Sequence, residues 1–455
     1  MRRLIVLALV FAALGAFVYF YEIAGKEARD QAKEREESVL QLERDAVTAL
    51  SISFEGKEKV RLEKQDGTWM LREPLETPAD TGSVDSLLRS LTTAKRDRVF
   101  EGEGLDLKAY GLEAPTGTIE VTAGDQKKVL QLGNKDFSGS KVYVKLADSP
   151  SVLLTSTSLL TAADKPVLDW RSKNALIFDR TKVEEMEIRR DGSQIRLAKR
   201  DGTWRLLAPL EDLADENTIS TLLSTIEFAR AKEFVAEDPT SVKEFGLEQP
   251  SVSLRLRETG SDVWHQLDLG QPKGEDAYYA RNPQRKPVFT LSKDVFADLT
   301  KDLWAFRQKD LVDLRQDQIK TLSYRHGETQ FTVSQKDYRW TLESPEELKG
   351  KEALSYKFWY PIDDLEFTGI VQRDPLPEPE VEIEIAAQDD TRHVYRFAHA
   401  GDEYLAWKGD GSRVGTISRE NFEKILLKPA DLLENPPSAT PESSAPAENS
   451  PQSGP

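Results

Sequence analysis

The sequence contains no cysteine, and its four histidines are His265, His326, His393 and His399. Without thiols there are no disulfides, no thiolate nucleophiles, no thiolate metal sites and no lipid attachment at an N-terminal cysteine. His393 and His399 would share one face of a strand but lie about 20 Å apart, too far to bind one metal ion. The sequence therefore predicts no metal site and no cofactor.

Catalytic motifs are also missing. The sequence has no P-loop, no G-x-S-x-G and no H-E-x-x-H. Adjacent acids such as Asp363-Asp364 and Glu346-Glu347 point apart along the chain, whereas acid/base catalysis needs carboxylates that converge in space. No catalytic residue is predicted, and a non-enzymatic role is favoured.

Positive charge is in deficit, because 62 lysines and arginines face 79 aspartates and glutamates, giving a net charge of -17. Such a chain is repelled by phosphate backbones and by anionic lipid surfaces. A nucleic-acid partner is therefore not expected.

A long uncharged run occurs at the start of the chain, from Leu4 to Tyr21. At helical rise it would span roughly 27 Å, close to the thickness of a bilayer core. Arg2 and Arg3 precede it and place the N-terminus in the cytoplasm. We expect a transmembrane helix over 1–21 in a bacterial inner membrane, with the bulk periplasmic or otherwise extracytoplasmic. A signal peptide cleaved near Ala13-Leu14-Gly15 is the alternative, but the apolar run is long for one.

Two polar segments flank the predicted folded region. Residues 22–46 are rich in Ala, Glu, Lys, Arg and Gln, which favours a charged helical stalk. A coiled-coil dimer of this stalk stays open, although no heptads are sustained. Residues 433–455 are dominated by Pro, Ser, Ala and Glu, a composition that predicts a disordered tail.

The region between these segments is an internal repeat. Trp69, Trp204 and Trp340 recur at offsets of 135 and 136, each within a run of three short strands. Asp66-Gly67 and Asp201-Gly202 supply the turn residues that tight hairpins need. The pattern predicts an α+β protein of tandem antiparallel-sheet modules with helices. The predicted modules are 47–176, 177–311 and a diverged third, 312–432.

The first two modules share further landmarks at an offset of 135. Asp80 and Asp215 stand before apolar-periodic stretches, as helix N-caps do. A Y/F-G-L-x-x-P block follows in each. Turns, caps and core explain these positions better than a catalytic carboxylate does. The predicted structural residues are Trp69, Trp204, Trp340, Asp80, Asp215, Gly111, Gly246, Pro115 and Pro250.

The third module replaces this middle part with an aromatic cluster, Tyr356, Phe358, Trp359 and Tyr360. Phe358 and Tyr360 alternate with Trp359, so both faces of the segment would be apolar. A core role is favoured, and a partner-binding or glycan-stacking surface stays open.

With these motifs, the chain resembles the bacterial family known as domain of unknown function 4340. The shared features are the N-terminal anchor, the D-G-x-W strand followed by Pro, the Ala-Asp before a helix, the Y-G-L-x-x-P block and the L-x-L-G strand. The resemblance covers residues 1 to 310 closely and the remainder loosely. It implies a companion of ABC-type transport systems related to gliding-motility auxiliary proteins, with no established activity.

Three functions remain open from the sequence. The favoured one is a membrane-anchored extracytoplasmic scaffold or accessory subunit of an envelope or ABC-type transport assembly. The second is an extracytoplasmic protein that binds a glycan, a peptide or a lipid. The third is a hydrolase whose carboxylates come together between modules.

Overall fold

The structure, a computed structural model, describes residues 37–434 apart from Glu103, Asp191 and Asp410. The predicted membrane helix at 1–21, most of the predicted stalk and the chain beyond residue 434 lie outside these residues. Within the described part, no helix is both long enough and apolar enough to cross a membrane.

Three nine-stranded sheets follow one another along the chain, in agreement with an α+β class. The strands of the first sheet, β1 to β9, are Val47–Phe54, Val60–Gln65, Thr68–Glu73, Thr77–Pro78, Arg98–Phe100, Gly117–Ala123, Gln126–Lys135, Lys141–Leu146 and Val152–Ser156. Those of the second, β10 to β18, are Val183–Arg190, Ser193–Arg200, Thr203–Ala208, Asp212–Leu213, Glu233–Ala236, Val252–Glu258, Trp264–Lys273, Ala277–Arg281 and Val288–Ser292. Those of the third, β19 to β27, are Ile319–His326, Thr329–Lys336, Arg339–Ser344, Glu352–Ala353, Gly369–Val371, Val381–Ala387, Arg392–Ala400, Glu403–Lys408 and Val414–Ile417.

Seven α-helices accompany the sheets within residues 37–434. They are α1 to α7 in chain order: Thr81–Thr93, Ser158–Ala163, Val167–Trp170, Glu216–Phe228, Lys293–Leu299, Ser355–Asp363 and Arg419–Lys424.

The three sheets have one topology. The first runs β4-β3-β2-β1-β6-β7-β8-β9-β5, and the second and third repeat this order strand for strand. The internal repeat is therefore confirmed. The third copy keeps the complete strand order even where its sequence departs from the other two.

Tight hairpins join β2 to β3 and β11 to β12 where the sequence predicts them. Asp66 and Gly67 have φ angles of 49° and 82°, and the matching Asp201 and Gly202 have 51° and 85°. The third copy makes the same turn with Asp337 and the exposed Tyr338, at 52° and 63°. A non-glycine residue in the left-handed backbone region costs roughly 1–2 kcal/mol. The third hairpin therefore forms although Tyr338 stands where the other copies have glycine.

Helices α1 and α4 bury one face each. In α1 the side chain of Asp80 accepts a hydrogen bond from the Ser83 amide at 2.8 Å, and in α4 Asp215 accepts one from the Thr218 amide at 2.6 Å. The buried residues recur at helical spacing: Val84, Leu87, Leu88 and Leu91 in α1, and Ile219, Leu222, Leu223 and Ile226 in α4.

The chain packs into two compact units. One holds the described residues up to Ile177 together with Glu227–Phe245 and Pro272–Lys293. The other holds Phe178–Ile226, Gly246–Gln271 and the described residues from Asp294 onward. The residue ranges of the two units do not follow the boundaries of the repeat.

The prediction of a helical stalk over residues 22–46 is wrong for residues 38–46, which the structure describes. From Ser38 to Ala46 the chain is not α-helical, apart from a 3-10 turn at Arg44–Ala46. Val39 donates a backbone hydrogen bond to Ala94 at 2.7 Å, and it lies in the first hydrophobic core with Leu42. This backbone pairing replaces the helical hydrogen bonds that the composition favours. At the other end, Leu433 is buried in the third core, inside the predicted tail.

Candidate functional site

The structure places the predicted structural residues in buried positions, at helix starts and in turns. Trp69, Trp204 and Trp340 are buried. Gly111 and Gly246 have φ angles of 68° and 69°, and a Cβ on either would come within 3 Å of a neighbouring residue. A side chain at these glycines is therefore excluded by both conformation and space. Pro115 and Pro250 are half-buried in the turns before β6 and β15.

The aromatic cluster of the third copy forms helix α6 rather than an alternating segment. Phe358 and Trp359 are buried, and the ring of Phe358 meets that of Trp340 edge-on at 5.1 Å. Tyr356 and Tyr360, one helical turn apart, are 55% and 51% exposed. The cluster thus divides into a core pair and an exposed tyrosine pair.

A first connector, residues 170–175, joins two parts of the first compact unit by backbone pairing. Asp80 donates to the Trp170 carbonyl and Ser172 to that of Pro78, both at 2.8 Å. Further on, Ala175 donates to the Ala229 carbonyl at 3.0 Å. The connector therefore binds the start of α1 on one side and the segment after α4 on the other.

A second connector, residues 306–311, makes the same bonds in the other unit. Asp215 donates to the Phe306 carbonyl at 2.9 Å, and Leu311 donates to that of Leu365 at 3.0 Å. Phe306 therefore corresponds to Trp170, and Arg307 corresponds to Arg171, each at an offset of 136.

At the second connector, Asp212 lies between two arginines. Its Oδ2 accepts a hydrogen bond from Arg307 Nε at 2.6 Å, and its Oδ1 lies 3.3 Å from Arg413 Nε. The Asp212 side chain is 9% exposed. Arg413 also donates from Nη2 to the carbonyl of Gln308. Burial lowers the pKa of Arg413, and the charge of Asp212 opposes that shift.

At the first connector, the corresponding arginines have no carboxylate between them. Arg171 is 3% exposed, donates to Glu237 Oε1 at 2.6 Å, and its guanidinium carbon lies 3.4 Å from the ring centroid of Phe234. Arg285 donates to the carbonyl of Asn174 at 3.3 Å. Thr77 precedes Asp212 by the repeat offset of 135. It therefore occupies the position in the first copy that the carboxylate of Asp212 occupies in the second.

A pocket of about 430 Å³ opens beside these arginines. Its wall includes Thr77, Arg171 and Arg285 together with the apolar side chains of Met70 and Leu75. All of its lining residues belong to the first compact unit.

Two acids at or near the second connector, Asp310 and Asp363, have raised pKa values. The pKa of Asp310 is raised by partial burial and then by the charge of Asp215. The pKa of Asp363 is raised by partial burial, by Asp364 and by Asp310. Both side chains remain largely exposed. Repulsion between exposed acids does not position a proton donor and a nucleophile, so no catalytic step follows from them.

Another carboxylate between two arginines lies on the third sheet. Glu382 of β24 accepts hydrogen bonds from Arg325 of β19 at 2.9 Å and from Arg396 of β25 at 2.8 Å. The hydrogen bond from Arg396 is the main cause that lowers the pKa of Glu382.

We expect Glu382→Gln to reduce the free energy of unfolding at pH 7 by about 0.5–1 kcal/mol, because the ion pairs are partly exposed. A lowered carboxyl pKa stabilises the fold above the unfolded value near 4.5, and this contribution is lost as the pH falls through the folded pKa. Urea unfolding at several pH values should show the variant and the wild type converging in acid. Glu384→Gln, which breaks the more exposed pair with Arg392, is the control with a smaller expected effect. A loss that persists unchanged in acid would contradict this account.

The arginine clusters were not predicted from the sequence. A signal for the connectors was nevertheless present, since W-R-S-K-N at 170–174 is matched by F-R-Q-K-D at 306–310. The partners of these arginines lie 66 residues away for Arg171 and 95 for Arg307, beyond the reach of local pattern.

Comparison with known proteins identifies the family. The chain matches the family described as "Domain of unknown function (DUF4340)" twice, over residues 69–235 and 204–381. The chain belongs to this family. The two overlapping matches begin at Trp69 and Trp204, the first two tryptophans of the repeat.

Other comparisons add little to this DUF4340 assignment. No protein in the curated set matches the chain. Among solved structures, a DNA polymerase sliding clamp from Pseudomonas aeruginosa is 9% identical, with 86% of this chain and 98% of that chain covered, at a TM-score of 0.17. The same clamp with a ligand is 9% identical, with 86% of this chain and 96% of that chain covered, at a TM-score of 0.16. Such scores support no argument about fold or function.

Proposed function

We propose that this DUF4340 protein is a non-catalytic scaffold or accessory subunit of an envelope assembly, such as an ABC-type transport system. Leu4–Tyr21 would anchor it in the bacterial inner membrane, with the repeated modules on the extracytoplasmic side. The observation that carries the proposal is the connector, which is built twice with the same backbone bonds. Chains that link similar modules in series commonly serve as extended binding surfaces.

The composition agrees with this role. The net charge of -17 suits an extracytoplasmic region that stays in solution. Tyr356 and Tyr360 give the third copy an exposed aromatic pair of the kind enriched in protein interfaces.

Crosslinking of the full-length protein in native membranes, followed by mass spectrometry, tests the proposal. We expect crosslinks to membrane proteins of one assembly. Leu9→Arg with Ala13→Arg should abolish them, because each arginine costs about 2.5–3.5 kcal/mol at the centre of a membrane helix. The matched control, Leu9→Val with Ala13→Val, should retain them. Recovery of monomer alone from the wild type would overturn the proposal.

A further inference from the structure

The two connectors place an arginine pair in the same setting, but only in the second does one carboxylate contact both arginines. Asp212 lies within 3.3 Å of both Arg307 and Arg413. The second connector therefore shows that this arrangement accepts a carboxylate between two guanidinium groups. Arginine binds carboxylate and phosphate through such geometry because its N–H groups form a planar fork.

The first connector keeps the arginines, but its carboxylate, Glu237, pairs with Arg171 alone. Thr77 stands at the position that corresponds to Asp212. Arg285 corresponds to Arg413, because it lies between β17 and β18 as Arg413 lies between β26 and β27. Arg171 Nε and Arg285 Nη2 are buried without a hydrogen-bond partner. Buried N–H groups of charged side chains are costly to leave unpaired. Burial lowers the pKa of Arg285, and the positive charge of Arg171 lowers it further.

The carboxylates around this pocket already have partners. Glu237 pairs with Arg171 at 2.6 Å, Asp238 with Lys286 at 2.7 Å, and Glu76 with Arg72 at 2.5 Å. Within the described chain Arg285 has no acidic partner, so it is the cation left over in this pocket.

We propose that the pocket at the first connector binds an external oxyanion, a carboxylate or a phosphate on a small and partly apolar molecule, between Arg171 and Arg285. The pocket volume of about 430 Å³ exceeds what one inorganic ion needs. Met70 and Leu75 provide apolar wall for the rest of the ligand. The site does not depend on the scaffold role.

Isothermal titration calorimetry on the full chain in detergent tests this site, with chloride used to hold the ionic strength constant. The probes are acetate, pentanoate, inorganic phosphate and butyl phosphate. We expect 1:1 binding in the carboxylate or the phosphate series, with the longer member binding more tightly. The series that binds identifies the head group. Absence of 1:1 binding by every probe up to its solubility limit would overturn the proposal.

Thr77→Asp is the decisive variant, because it gives the first connector the carboxylate that the second one has. It should fold, raise the melting temperature, and weaken probe binding by about tenfold or more, because the new carboxylate would accept the hydrogen bonds that the arginines otherwise offer to the probe. Arg285→Gln should also weaken binding, which keeps the test valid if Thr77→Asp folds poorly. Arg89→Gln, on the exposed face of α1, should bind as the wild type does. Unchanged binding in well-folded Thr77→Asp and Arg285→Gln would refute the site.

Discussion

Replacing Asp212 with asparagine is expected to lower the free energy of unfolding by about 3–5 kcal/mol, the usual cost of removing one partner of a buried ion pair. The Asp212 side chain is 9% exposed, and those of Arg307 and Arg413 are 15% and 19% exposed. Asparagine keeps the size of the side chain and removes its charge. Two guanidinium groups would then remain close together with little access to water.

Urea unfolding of the protein, followed by circular dichroism, measures this loss. Asp238→Asn is the matched control, because it removes a carboxylate from the pair with Lys286, whose side chains are 65% and 74% exposed. That pair should be worth no more than about 1 kcal/mol. Equal losses in the two variants would contradict the view that Asp212 neutralises a buried arginine pair.

Asp212→Thr joins this prediction to the proposed anion site. It gives the second connector the residue that the first one has at Thr77. If the two arrangements are equivalent, acetate should raise the melting temperature of Asp212→Thr more than chloride at the same ionic strength does. A ligand that binds only the folded state stabilises it by mass action.

Local patterns were sufficient to predict hairpins and helix starts in the first two copies. Asp66-Gly67 and Asp201-Gly202 identified the hairpins, because those residue types tolerate positive φ angles. Asp80 and Asp215 identified the starts of α1 and α4, because a carboxylate at this position accepts an amide hydrogen bond of the first turn.

The connector clusters could not be predicted in this way. Asp212 and Arg413 lie 201 positions apart in the sequence and belong to different copies of the repeat. The repeat offset of 135 shows that Thr77 and Asp212 occupy equivalent positions. It does not show that either position lies beside an arginine. In the third copy, the alternation of Phe358 and Tyr360 with Trp359 predicts a segment with two apolar faces. The structure places it in α6, where helical spacing separates buried from exposed rings.

That separation leads to the second large effect. Trp359→Ala should lower the free energy of unfolding by about 3–5 kcal/mol, because it empties a large volume in a closely packed core. Trp359 is 1% exposed and belongs to the third hydrophobic core with Phe358, Ile362 and Trp340. The surrounding side chains come from both α6 and the sheet, so they cannot all move to fill the space.

Tyr360→Ala is the control for this substitution, since Tyr360 follows Trp359 in the same helix and is 51% exposed. Its effect on stability should stay within about 1 kcal/mol. Crosslinking in native membranes then separates packing from recognition. If the exposed pair Tyr356 and Tyr360 contacts a partner, the double alanine variant loses crosslinks while its unfolding curve stays close to that of the wild type. If Trp359→Ala leaves the unfolding curve unchanged, Trp359 is not a core residue, and α6 does not pack as the structure places it.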